Sequence, residues 1–273
     1  MKKVTAKDVK KDPSNKELVL QAITNDPYAI EFASDKLKND KEVILKAVNL
    51  NGFTIRFSGN ELKNDPEVAS TALKSKTYAL EFVGKTIKSN KDIVFDVVSR
   101  DGLALQFADP LLFKDPKIVT AAVKNEGIAL EYADASLKSN RNIVIEAVRS
   151  DGAALQFAAD DLRNDPEIVK IAADNESTSL QYASKSLKAD RQFILNILKN
   201  TSTAFQFIDD SLKEDKEIVL TAIKNSAFII QFSKKLIKDK VFLKEAIKLN
   251  PDVLNFLDND LQKDPDLKEI SDK

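Results

Sequence analysis

The chain has no cysteine, no histidine and no tryptophan among its 273 residues. Without cysteine there is no disulfide framework, no thiolate nucleophile and no thiolate metal site. Without histidine the commonest general base and the commonest transition-metal ligand are both missing. An excess of either charge is missing too, since 42 basic side chains nearly cancel 43 acidic ones. That balance argues against a general nucleic-acid or membrane-surface binder, although a local basic stripe stays open. No run of apolar residues is long enough to span a bilayer. The opening residues, Met1-Lys-Lys-Val-Thr-Ala-Lys-Asp8, carry no apolar core of a secretory signal. The expected location is therefore the cytoplasm, or a host cell reached without a classical signal peptide.

What the sequence does hold is a repeat. One aromatic column recurs every 25 residues, at Phe32, Phe57, Phe82, Phe107, Tyr132, Phe157, Tyr182, Phe207 and Phe232, and ends one residue early at Phe256. A period of this length is the mark of stacked repeats that touch mainly their neighbours.

Each copy opens on Asp or Asn: Asn15, Asp40, Asp65, Asn90, Asp115, Asn140, Asp165, Asp190, Asp215 and Asp239. Both residue types accept hydrogen bonds from the free amides of a helix start. Pro66, Pro116 and Pro166 follow at the position where proline costs no hydrogen bond, and acids such as Glu17, Glu42 and Glu167 complement the helix dipole. Apolar residues then recur with helical spacing, as in Ile143, Val144, Ala147 and Val148. A second cap comes about eleven residues in, at Asp26, Asn51, Asp101, Asp151, Thr201, Ser226 and Asn250. Gly52, Gly102, Gly127 and Gly152, just after it, also suit the end of the preceding helix. A shorter stripe follows, as in Ala154, Leu155, Phe157, Ala158 and Leu162.

The pattern predicts an all-α solenoid of about ten helix-turn-helix copies forming one curved superhelix. Residues 1–14 are expected to cap its start, 15–263 to form the copies, and 264–273 to close it as a half-copy. The aromatic column is expected to fill an inter-layer core. A column of Ala22, Ala47, Ala72, Ala122, Ala147, Ala172, Ala222 and Ala246 permits close packing of the layers.

Copies three to eight alternate, with Asp-Pro starts at Asp65, Asp115 and Asp165 set against Asn-Lys, Asn-Arg and Asp-Arg starts between them. This points to paired units of about 50 residues. Segments such as Asp101-Gly-Leu-Ala-Leu-Gln-Phe-Ala-Asp109 and Asp215-Lys-Glu-Ile-Val-Leu-Thr-Ala-Ile223 resemble the repeats of the domain-of-unknown-function family 4116. The resemblance spans about residues 15–263 and implies tandem helical repeats. Its shared residues are caps and core, so it implies no catalytic residue. Copies eight to ten depart most, with Ile197, Ile208, Ile229 and Leu257 where small residues usually sit.

Candidate chemistry is thin. Ala79-Leu-Glu-Phe-Val-Gly84-Lys85-Thr86 matches a relaxed phosphate-loop pattern, but such a loop must follow a strand, and these residues are expected on a core-facing helix. Asp160-Asp161, Asp209-Asp210 and Asp258-Asn-Asp260 read as solvated turns, the last lacking the glycine and glutamate of a calcium loop. Catalytic residues, cofactor and metal are therefore all expected to be absent.

Two columns are binding candidates. The residue before the aromatic is Glu81, Gln106, Glu131, Gln156, Gln181, Gln206 or Gln231 across the middle copies, flanked by Glu31, Arg56 and Asn255, and never lysine. It reads either as compatible helix formers on an exposed face or as a shared recognition ladder on a concave one. The second column carries Tyr28, Phe53 and Tyr78, then Leu103 and Ile128, and shrinks to Ala153, Thr178 and Thr203. It reads either as aromatic caps over the core or as an apolar patch confined to the N-terminal half. A third column, Lys38, Lys63, Lys88, Lys138, Arg163, Lys188, Lys213 and Lys238, is either a solvated face or a phosphate track. The expected function is a monomeric, non-enzymatic scaffold that binds a protein or peptide along its concave face, away from membranes. A nucleic-acid-binding solenoid using the lysine column is the alternative.

Overall fold

The computed structural model describes residues 3–271, and among these every regular element is helical. Each copy begins as the caps dictate. Asp65 accepts hydrogen bonds from the amides of Glu67 and Val68 at 2.9 and 3.0 Å, Pro66 takes the first helical position, and the α-helix runs Pro66–Ser75. Asn15, Asp40, Asn90, Asp115, Asn140, Asp165 and Asp239 cap their helices in the same way.

The expected turn is shorter than a turn. A single extended residue ends one helix and starts the next. The Asp26 amide donates to the Ala22 carbonyl at 2.9 Å, while its carboxylate accepts from the Tyr28 amide at 3.0 Å. The second helix is three-ten in type, as in Pro27–Phe32, Gly52–Phe57 and Gly152–Phe157. A third short helix follows, such as Asp35–Lys38 or Asn60–Lys63. The copy is thus three helical segments rather than two.

The glycines do not close helices in the left-handed conformation, since none of those described has a positive φ. Gly102 instead lies where a Cβ would run into the carbonyl oxygen of Ala122 in the next copy. Its amide donates to Asn125 Oδ1 at 2.8 Å. Close approach of backbones, not backbone freedom, selects glycine there.

The core lies between the layers. The alanine column is fully buried throughout, as are Ala104 and Leu105 of the three-ten helix. The aromatic column is only half-buried in all its positions, from Phe32 through Phe157 to Phe256, which corrects its expected place deep in the core. The reason is helix type. With three residues per turn, the ring sits at the margin of the stripe, and the small or aliphatic neighbour takes the interior. The departing residues Ile197, Ile208, Ile229 and Leu257 are buried, so the later copies keep a core of different volume.

Successive copies share one backbone hydrogen bond at nearly every step. Gly59 donates to the Lys38 carbonyl at 3.1 Å, Gly84 to Lys63 at 2.8 Å and Asp109 to Lys88 at 3.0 Å. Ala159 to Lys138, Ser184 to Arg163 and Asp209 to Lys188 repeat it further on. The chain divides into two compact units, Met1–Leu137 and Lys138–Lys273. In the first, the helix Ala6–Lys11 buries Val9 and packs on Lys16–Asn25 and Pro27–Phe32. In the second, the helix Pro265–Ser271 buries Leu267 against Lys240–Leu249. Residues 1, 2, 272 and 273 of the two expected caps lie outside the described residues.

Candidate functional site

The three-ten helix joins the two candidate columns into one. Side chains three apart eclipse in this helix type. Tyr28 therefore shares a face with Glu31, Phe53 with Arg56, Tyr78 with Glu81, and Leu103 with Gln106. Further along, Ala153 stands with Gln156, Thr178 with Gln181, and Thr203 with Gln206. Glu31, Arg56, Glu81, Gln106, Glu131, Gln181, Gln206 and Gln231 are exposed, and Gln156 is half-buried.

Several of these side chains fold back on their own helix. Gln106 Nε2 donates to the Leu103 carbonyl at 3.0 Å, Gln156 Nε2 to Ala153 at 3.1 Å, and Arg56 Nε to Phe53 at 3.1 Å. A carbonyl has two lone pairs, and a long amide or guanidinium three residues on reaches one of them near the helix start. Each such glutamine still has its Oε1 and a second N–H beyond that bond. The column thus serves the fold and keeps hydrogen-bonding capacity for a ligand.

In the unit Met1–Leu137 the face is aromatic. Tyr28 meets Phe57 edge to face at 6.2 Å between centroids, Phe53 meets Phe82 at 6.3 Å, and Tyr78 meets Phe107 at 5.4 Å. Each pair joins one copy to the next. Tyr28 remains 36% exposed, and the other five rings are half-buried. Burial raises the Tyr78 phenol above its ordinary value, and the negative charges of Asp101 and Glu126 push the same way. In the unit Lys138–Lys273 the matching positions are small at Ala153, Thr178 and Thr203. Rings return only at Phe228, which meets Phe232 and Phe256.

The lysine column is drawn into the fold. Lys88 Nζ donates to the Glu81 carbonyl at 2.8 Å and Lys188 Nζ to Gln181 at 3.1 Å, which caps the three-ten helix seven residues earlier. Lys213 pairs with Asp210 at 2.7 Å, and Arg163 pairs with Asp160. These cations are half-buried, and the carbonyls of Lys38, Lys63 and Lys88 accept the bonds between copies.

The remaining sequence features are structural in their setting. Ala79 and Leu80 are buried in the three-ten helix Thr77–Glu81, and Gly84 precedes the helix Lys85–Lys88 with its amide on the Lys63 carbonyl. No strand leads into that segment, so the phosphate-loop pattern has no phosphate-loop geometry. Asp209 accepts from the amide and hydroxyl of Ser211, and Asp258 accepts from the amides of Asp260 and Leu261. Among the described residues, no group of three or more carboxylates is placed to hold a metal ion. Among the same residues, no helix is long and apolar enough to cross a membrane.

Sequence reasoning missed Phe95. It stands 47% exposed beside a groove of about 820 Å3 between the helices Lys91–Arg100 and Pro116–Asn125. Ser99, Pro116, Thr120 and Ala121 line the groove with it. The signal was present, because Phe95 is the aromatic in a column that reads Leu20, Leu45, Ser70, Thr120 and Ile145.

The family model described as Domain of unknown function (DUF4116) matches residues 15–62, 42–88, 90–138, 140–188 and 190–238. The last three matches step by 50 residues, two short copies to each, whereas the first two overlap over residues 42–62. No curated protein and no solved structure matches the chain.

Proposed function

The chain belongs to the DUF4116 family of tandem helical repeats, and on that footing we propose that it is a non-enzymatic α-solenoid scaffold that binds a protein or peptide along its three-ten face. The observation that carries this reading is the chemistry of that face. It offers one non-lysine polar side chain per copy, exposed everywhere but at the half-buried Gln156, beside a position that ranges from Tyr28 and Phe53 to Ala153 and Thr203 while the alanine column stays nearly constant. In a repeat, each copy is a control for the others. A position that changes size beside a polar column of one kind is what a binding register needs.

Spacing supports the same face. In the unit Met1–Leu137 the three-ten helices Gly52–Phe57, Thr77–Glu81 and Gly102–Phe107 pack on one another in turn. The α-helices pack unevenly: Lys91–Arg100 lies close to Pro116–Asn125 and much less close to Pro66–Ser75. A ligand lying on the three-ten side would meet a regular series of contacts. The nucleic-acid alternative is weaker, because Lys88, Arg163, Lys188 and Lys213 of the column it needs are tied to carbonyls or carboxylates.

The test is capture of binding proteins from cell extract by the parent chain and by two charge-altered variants. Proteins held by the parent should be lost with Gln181→Lys/Gln206→Lys and kept with Lys188→Glu/Lys213→Glu. Loss with the second variant alone, or capture that vanishes on nuclease treatment, would favour nucleic acid.

A further inference from the structure

We propose that the unit Met1–Leu137 takes a basic, proline-rich peptide in the polyproline II conformation along its three-ten face, with one turn of ligand per copy. This rests on the peptide-binding reading above and adds a ligand chemistry for the part of that face in the first unit, beside the glutamine part that Gln181 and Gln206 test.

The rings come first. Tyr28 with Phe57, Phe53 with Phe82 and Tyr78 with Phe107 form a row of edge-to-face pairs, each left partly open to solvent. Flat aromatic surfaces with tyrosine hydroxyls at their rims suit proline rings and the unpaired carbonyls of a polyproline II backbone.

Charge is the second observation. Glu31 and Glu81 are exposed between these pairs, and neither takes part in an ion pair among the described residues. Asp101 and Glu126 lie near enough to Tyr78 to raise its phenol. The one cation in the Glu31–Glu81 column, Arg56, is already engaged. Its guanidinium lies 4.2 Å from the Phe82 ring centre and its Nε donates to the Phe53 carbonyl. Lys10 is likewise placed over Phe32, 4.0 Å from the ring centre, leaving Lys76 as the exposed cation at the margin. These cations keep their charge, but the four carboxylates of Glu31, Glu81, Asp101 and Glu126 outnumber Arg56, Lys10 and Lys76, so arginine or lysine side chains of the ligand would meet a net negative set of groups.

Period decides the backbone. Polyproline II advances about 3.1 Å per residue with three residues per turn, roughly 9.3 Å in all. That falls within the ~8–10 Å at which stacked helices repeat. A β-strand covers a similar distance in three residues, but a step of three turns its side chains to the opposite face. Only the threefold helix returns the same side chain to each copy. The second unit is the internal contrast, since Ala153, Thr178 and Thr203 replace the rings and Gln156, Gln181 and Gln206 replace the acids.

The test is fluorescence anisotropy with the full chain and labelled peptides built from repeated Pro-Pro-Arg triplets. Such a peptide should bind. Substituting Glu31→Lys and Glu81→Lys together should weaken it by about tenfold or more with the melting temperature unchanged. Triplets of Pro-Pro-Glu should not bind. Triplets of Gly-Ser-Arg, and a Pro-Pro-Pro-Arg repeat that breaks the threefold register, should both bind less well. Equal binding of the four-residue repeat or the flexible triplet, or indifference to the charge reversal, would overturn the assignment. If the Pro-Pro-Arg peptide fails while Gln181 and Gln206 still govern capture of a partner, this ligand assignment falls and the broader reading stands.

Discussion

Lys41 places its ammonium 2.7 Å from the carboxylate of Asp65, the residue that caps the next copy's first helix. The same arrangement joins Lys16 to Asp40, Lys91 to Asp115, Arg141 to Asp165, Arg191 to Asp215, Lys216 to Asp239 and Lys240 to Asp264. It explains which caps are charged. Where the preceding copy carries a cation after its cap, the next cap is aspartate. Where Pro66 or Pro116 takes that place, the next cap is the neutral Asn90 or Asn140. Asp190, which follows the Pro166 copy, keeps its charge, and nothing in the structure explains it.

Capping and charge can be separated at Asp65. Asp65→Ala loses both acceptor and charge and should cost about 1 kcal/mol, the usual value for a lost cap. Asp65→Asn keeps an oxygen for the two amides and should cost distinctly less. Urea denaturation followed by circular dichroism reads the order, and equal losses would mean that capping contributes nothing at this position.

Acid should weaken the fold through the same residues. Hydrogen bonds from Lys16, Lys41, Lys91 and Arg191 hold the carboxyls of Asp40, Asp65, Asp115 and Asp215 below the ordinary carboxylate value. A carboxyl lowered in the folded state stabilises fully above its unfolded value of about 3.9 and loses that contribution as pH falls through the folded value. The melting temperature should stay level from neutral pH down to about 5 and drop below about 4. Replacing the four aspartates with asparagine should lower it at neutral pH and flatten the acid decline. An unchanged decline would place its cause elsewhere.

The half-burial of the aromatic column sets a ranking. Phe205 is fully buried, and Phe205→Ala should cost about 3–5 kcal/mol. Phe157 is half-buried, and Phe157→Ala should cost about half as much. A Phe157 loss equal to that of Phe205 would contradict the phase of the three-ten helix.

The caps, the alanine column and the tandem helical order were legible in the sequence because each rests on one residue type at a fixed step. Helix type was not. Six residues such as Gly152–Phe157 cannot separate a period of 3.0 from one of 3.6. Hence Phe157 was expected in the core, and Ala153 and Gln156 in separate columns. The third helix was missed at Asp35–Lys38 because four residues give no period to read. The bond from Lys88 to the Glu81 carbonyl was hidden for another reason, since a side chain seeking a backbone carbonyl leaves no pairing in the sequence.

The claim that the three-ten face meets the ligand is tested most directly by site-specific photo-crosslinking. A benzophenone side chain at Thr203 stands on that face, and one at Asn196 stands on the exposed side of the α-helix Arg191–Leu198. With a captured partner, crosslinks should form from position 203 and not from 196. Crosslinks from 196 with none from 203 would contradict the account.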